Sequence, residues 1–198
     1  MRADAVWPWV GRVFLWLVPC FALWHFAAAP LAEVQGTLAR FGANAWFPGL
    51  VSGTESAGGS IDFVTRLRAT QTGRVGDLVF TVNARAYSYG LALFAALCLA
   101  TGWRRRWMGL AAGFAALLLV AAGGVLFDLL QQVFITQAAL SAGLFLPTDL
   151  ERNIIALTYQ AGAILLPTAA PIVAWGAVHR NFLAIRMRDR RDIPQVPC

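Results

Sequence analysis

Asp128 interrupts an otherwise apolar stretch, and Gln131 and Gln132 follow it by three and four residues, which puts all three on one side of a helix. Glu151 and Arg152 open a later apolar stretch, with Tyr159 and Gln160 about two turns inside it. Asn83, Tyr87, Ser88 and Tyr89 stand at the entry to a third. Such residues are costly in hydrocarbon unless they are paired or wet, so they are expected to converge in one polar cluster. One use of that cluster is a recognition or catalytic pocket, in which Asp128 and Glu151 accept and Arg152 anchors an anionic group. The two carboxyls would then act as acid and base in a hydrolase or transferase, provided that one has a raised pKa in a closed pocket. The plainer reading is a hydrogen-bond network that seats the helices. It takes precedence, because buried polar groups need partners whether or not they do anything else, and no residue is assigned a catalytic role.

Thiol chemistry is the other possibility, given Cys20, Cys98 and His25. Cys20 falls near the middle of the first apolar stretch and Cys98 inside the second, where a thiolate would have to form in hydrocarbon. Both read as small apolar fillers. Cys198 stands apart at the basic end of the chain, so no structural disulfide is expected. Neither a histidine pair nor a Cys/His cluster at ligand spacing suggests a metal, and no cofactor is implied.

The elements that must position these residues follow from composition. Of 198 residues, 59% are hydrophobic and 13% charged, too apolar for an ordinary soluble domain. Apolar runs of about 18 or more residues can cross a bilayer core of about 30 Å. Four candidates occur, at about 10–29, 86–103, 107–134 and 153–178. The first reads as an uncleaved anchor, because Pro30 would follow any cut after Ala27-Ala28-Ala29. Arg2, Arg12, Arg104 to Arg106 and the five arginines from Arg180 onward flank these runs, ten of the sixteen basic residues, and no Lys occurs. Cytoplasmic flanks are rich in basic residues, which gives an N-in, C-in orientation with a cytoplasmic basic tail at 179–198. Trp7, Trp9, Trp103, Trp107 and Trp175 fall near the same interface. The net charge of +6 therefore reports topology, and no aromatic-basic module points to nucleic acid. At 1.5 Å per residue, Asp128 is about 30 Å from Trp107, so the polar cluster belongs at the outer interface.

Residues 31–85 form an insertion between the first two crossings. Leu31, Val34, Leu38, Phe41 and Ala45 recur at helical spacing, which predicts a helix lying on the outer membrane face. Pro48-Gly49 ends it, and the Ser/Gly-rich stretch from Ser52 to Ser60 reads as a loop. Ile61, Phe63, Thr65 and Leu67 alternate, as do Leu78, Phe80 and Val82, with Gly-containing residues 72–77 between them. That is a β-hairpin, to which a strand near Leu50 could be added. The fold class is thus an all-α integral membrane protein with four transmembrane helices and a small extracytoplasmic α+β insertion. Pro167 and Pro171 must bend or locally open the last helix. A small transporter would use such a hinge, but polar residues thin out toward the cytoplasmic half and no inverted repeat is visible.

Several stretches in fixed order carry a resemblance. They are Phe47-Pro48-Gly49-Leu50-Val51, Asp62-Phe63-Val64-Thr65, Val82-Asn83, Tyr87-Ser88-Tyr89-Gly90-Leu91, Gly124-Val125-Leu126-Phe127-Asp128 with Gln131-Gln132, Tyr159-Gln160-Ala161-Gly162, and Pro167 to Pro171 with Trp175 and Arg180-Asn181-Phe182. Over most of its length the chain resembles the exosortase H-associated membrane proteins of Gram-negative bacteria. The resemblance implies an inner-membrane partner of a protein-sorting system. Exosortases are multi-spanning, cysteine-dependent enzymes acting on C-terminal sorting signals. This chain has no comparable Cys/Arg/His site at the outer face, so the resemblance implies an accessory that contacts exosortase H or its substrate proteins.

Overall fold

Two helices are long and apolar enough to cross a membrane: α1 (Trp7–Phe26), and α4 (Trp107–Gln131) with the turn that continues it to Thr136. The computed structural model describes residues 7–71, 74–101, 107–141 and 145–179, so Arg2, Trp103, Arg104 to Arg106, Cys198 and the arginines from Arg180 onward lie outside the described residues. Strands β1 (Val51–Ala57), β2 (Ser60–Gln71) and β3 (Arg74–Asn83) precede α3 (Arg85–Thr101). After α4 come a short α5 (Ala138–Ser141), then α6 (Asp149–Gln160) and α7 (Leu166–Val178). The described chain is mostly helical with one small sheet. α3 has 17 residues and falls short of the crossing length. α6 and α7 meet at a 68° bend and count as a third span only if the bent pair crosses as one.

α1 leaves nearly all its surface exposed, including Phe14, Leu15, Val18, Leu23 and Phe26. Only a narrow stripe is covered: Val13 packs with Leu97 and Ala100, and Cys20 packs with Ala92 and Ala96 of α3. An apolar helix exposed on most sides is suited to lipid and not to water. Cys98 is buried in a different cluster, with Leu91, Phe94 and Leu117. At one end of the helices, the indoles of Trp9 and Trp175 both donate to Thr101 Oγ1, at 3.4 and 3.0 Å, tying α1, α3 and α7 together.

α2 (Ala28–Trp46) follows α1 after a break at Ala27. Its buried face is Ala28, Ala32, Gln35, Gly36, Ala39 and Ala43. This corrects the face chosen by apolar spacing, since Val34 is 44% and Phe41 77% exposed. Small residues let backbones approach closely, and large apolar ones are free to face lipid. Gly36 meets Ile61 of β2 and Gly42 meets Leu126 of α4, so α2 is wedged between the sheet and the long helix.

The sheet has order β1-β2-β3, all antiparallel. Ile61, Phe63, Thr65, Leu67, Phe80 and Val82 are buried on its inner face, as the alternation predicts. Two corrections concern its edges. Ser52–Ala57 is strand where the composition suggests loop, and the true turn is Gly58-Gly59, with φ of 58° and 94°, values that glycine adopts without strain. β2 and β3 also run further toward each other, with Gln71 paired to Arg74 and only residues 72–73, outside the described ones, between them.

The 68° bend has a covalent cause. Pro167 has no N–H to offer Ala163, and the backbone resolves this with a π turn over Ala161–Leu165, closed by Leu166 N–H to Ala161 O. Pro171 likewise leaves the Pro167 carbonyl without its helical donor. That carbonyl faces Gly90 of α3, where a Cβ would lie 2.7 Å from it, so only glycine allows the approach.

Candidate functional site

Gly124 and Asp128 lie one turn apart on α4, and Tyr87 enters from the first turn of α3. The Tyr87 ring occupies the notch that Gly124 leaves, where a Cβ would overlap ring carbons. From there its hydroxyl donates to Asp128 Oδ2 at 3.0 Å. Gln132 Nε2 donates to Asp128 Oδ1 at 3.1 Å and reaches the Thr81 carbonyl of β3 at 3.4 Å. The Thr81 hydroxyl in turn donates to Asp62 Oδ1 of β2 at 2.6 Å. One chain of hydrogen bonds therefore runs from α3 through α4 into both long strands. Each Asp128 oxygen has a donor, as a half-buried polar side chain requires.

Glu151 belongs to a separate set. Its Oε2 accepts from Thr148 N at 2.7 Å and from the Thr148 hydroxyl at 2.9 Å, while Glu151 N–H donates back to Thr148 Oγ1 at 3.3 Å. This is a capping box that starts α6. Its Oε1 accepts from the Trp46 indole at 3.1 Å, which pins the end of α2. Glu151 precedes the apolar run that begins at Asn153, and the Thr148 amide, the Thr148 hydroxyl and the Trp46 indole hold its carboxyl below the usual carboxylate range. That direction is opposite to what a general acid at neutral pH requires. No hydrogen bond among the described residues joins Glu151 to Asp128, and each carboxyl has its own set of donors.

The remaining residues divide. Tyr159 lies within electrostatic reach of Tyr87. Gln131 turns along its own helix to Thr136 Oγ1 at 3.2 Å. Asn83 Oδ1 accepts from Arg85 N–H at 3.2 Å and starts α3. Ser88 faces away from the cluster and accepts from the Trp24 indole of α1 at 3.1 Å. Arg152 and Gln160 are exposed and Tyr89 is half-buried, none of them joined to the Asp128 network. The cavity beside Tyr87, lined also by Gly90, Leu117 and Pro167, measures about 10 Å³, room for no more than about one water. Among the described residues, no three His, Cys, Asp or Glu side chains gather as a metal site would require.

Apolar spacing alone misses what lies beneath the network. Phe47 packs against Phe134 with the rings tilted and 4.4 Å between centroids, and Trp46, Phe127 and Phe145 complete the cluster. Phe134 sits in the π turn Gln132–Thr136, closed by Gln137 N–H to Gln132 O. Thus both π turns follow directly on polar residues of the candidate set, Gln131 in one case and Gln160 in the other. Such turns are frequent at functional sites.

Residues 4–182 match the family described as exosortase H-associated membrane protein. The chain belongs to that family. The match takes in both helices of crossing length, the sheet and the Asp128 network, so the family's association with an exosortase system, as a membrane protein, applies to the whole of the described fold. Comparison with curated proteins and with solved structures finds no match.

Proposed function

We propose that this exosortase H-associated protein is a four-helix accessory of the bacterial inner membrane, N-in and C-in, whose sheet and Asp128 network sit at the outer face and hold exosortase H or its substrate near the processing site. The observation that carries this reading is the hydrogen-bond chain Tyr87–Asp128–Gln132–Thr81, which couples α3 and α4 to the sheet. A platform fixed to its helices this way can present a partner at a set height above the bilayer. The arginine distribution supports the orientation, since ten of sixteen fall on the proposed cytoplasmic flanks.

Tagged chain solubilised in mild detergent is expected to retain exosortase H, as read by immunoblot of the purified complex. Clean separation in several mild detergents would sink the proposal. Asp128→Asn keeps an acceptor for the Tyr87 hydroxyl, so the variant is expected to accumulate and to support sorting. Loss of sorting in a variant that accumulates normally and still retains exosortase H would instead point to acid–base work at Asp128.

A further inference from the structure

Arg85 opens α3 with its guanidinium unpaired. Among the described residues its side chain makes neither an ion pair nor a hydrogen bond. Arg12, Arg40, Arg66, Arg68 and Arg152 are exposed, so water can solvate them, whereas Arg85 is half-buried. Its stem is laid across the Gly58-Gly59 turn, where a Cβ at Gly59 would overlap Arg85 Nε and crowd Cγ and Cδ. Nε is buried there without a partner, while the two terminal nitrogens are not buried. A guanidinium that has lost part of its water and gained no acceptor from the chain is costly to keep, and an anion at the nitrogens still open would offset that cost.

The other residues on the same side of α3 set its depth. Ser88, Ala92 and Ala96 follow Arg85 at helical spacing; Ala92 and Ala96 pack on Cys20, and Ser88 accepts from the Trp24 indole in the last turn of α1. Indoles settle at the membrane–water interface. Arg85 lies three residues beyond Ser88, about 4.5 Å further from the end of α3 where Thr101 holds Trp9 and Trp175. Just outside an interfacial indole is the level of the lipid headgroups. An arginine there offers two parallel N–H donors to the oxygens of a phosphate.

We infer that Arg85 is a phospholipid site, with its two terminal nitrogens donating to the phosphodiester oxygens of one headgroup and the Gly58-Gly59 turn holding the side chain in place. Assigning that lipid to the outer leaflet rests on the orientation proposed above, but the site itself does not.

The full-length chain in detergent is titrated with phosphatidylglycerol, and bound lipids are counted by native mass spectrometry. Parallel titrations use diacylglycerol with the same acyl chains, and inorganic phosphate as a competitor. The first phosphatidylglycerol should bind at least about tenfold more tightly than the first diacylglycerol. Arg85→Gln should bind phosphatidylglycerol about tenfold more weakly. Arg66→Gln removes the same charge from an exposed guanidinium and should stay within about twofold of the parent. Millimolar inorganic phosphate should leave the lipid bound. Equal binding of the two lipids, an unchanged Arg85→Gln, or equal losses in the two variants would each overturn the inference, and displacement by inorganic phosphate would overturn the lipid in favour of a free anion. The comparison of the two lipids uses the parent chain, so it decides the matter even if Arg85→Gln fails to accumulate. The titration contains no exosortase, so its failure leaves the accessory role to its own test.

Discussion

At Gly124 the absence of a side chain decides whether Asp128 has Tyr87 as a partner. The Tyr87 ring fills the volume that a Cβ would take, so Gly124→Ala must push the ring off α4 and pull its hydroxyl away from Asp128. Overpacking of this kind costs about 1–3 kcal/mol, and the lost hydrogen bond adds about 1 kcal/mol. Gly123 supplies the control, because nothing lies within 4 Å of its Cβ position. There alanine gains helix propensity of about 0.5–1 kcal/mol and meets no obstacle. Thermal unfolding in detergent should therefore show Gly124→Ala melting clearly below the parent and Gly123→Ala at or above it. Equal midpoints for the two variants would mean that Tyr87 does not occupy the notch. Half of this site is legible in the sequence: Asp128 and Gln132 are one turn apart, and Tyr87 enters at the same depth. The notch is not legible, because glycine and alanine are so frequent in the apolar stretches that spacing cannot single one out.

α2 shows why apolar periodicity points to a helix yet picks the wrong face. In water the large apolar residues are driven inward, whereas against lipid they gain nothing by it, and close packing passes to small residues. Leu31, Val34, Leu38, Phe41 and Ala45 thus form a regular stripe that includes the exposed Phe41, while Ala32, Ala39 and Ala43 take the contacts with protein. The two faces should respond oppositely. Ala39→Leu introduces bulk into a fully buried position and is expected to cost about 1–3 kcal/mol, whereas Phe41→Ala should leave the melting midpoint of the detergent-solubilised chain nearly unchanged. A large loss from Phe41→Ala would place that ring in a protein contact. β1 escapes the sequence for a related reason: as an edge strand held by backbone pairing, its Ser, Gly, Thr and Glu need no apolar alternation, and the Gly58-Gly59 pair is the one local signal of its turn. By contrast β2 and β3 are plain in the sequence, because Ile61, Phe63, Thr65 and Leu67 of one and Phe80 and Val82 of the other are buried and the period of two has to hold there.

At the scale of the whole molecule, helix length and charge distribution give different counts of crossings. Length gives two spans, or three if the bent pair α6–α7 crosses as one, and α3 at 17 residues reaches only about 26 Å against a hydrocarbon core of about 30 Å. The arginine groups give four, because Arg2 and Arg12, Arg104 to Arg106 and the basic tail all fall on one side only if α3 and the bent pair both cross. A short helix can satisfy this by local thinning of the bilayer, at a cost of fractions of a kcal/mol per Å. Cysteine labelling separates the counts, since Cys20 and Cys98 are buried and Cys198 is a native probe of the tail. With four crossings, Ala57→Cys is expected to react with a membrane-impermeant maleimide in right-side-out spheroplasts, while Arg105→Cys and Cys198 react only after permeabilisation. If α3 alone does not cross, position 105 and Cys198 both become labelled together with 57. If the bent pair alone is re-entrant, it is Cys198 that shares the side of 57, and either result would put arginines on the face opposite Arg2 and Arg12, against the charge rule that assigns the orientation.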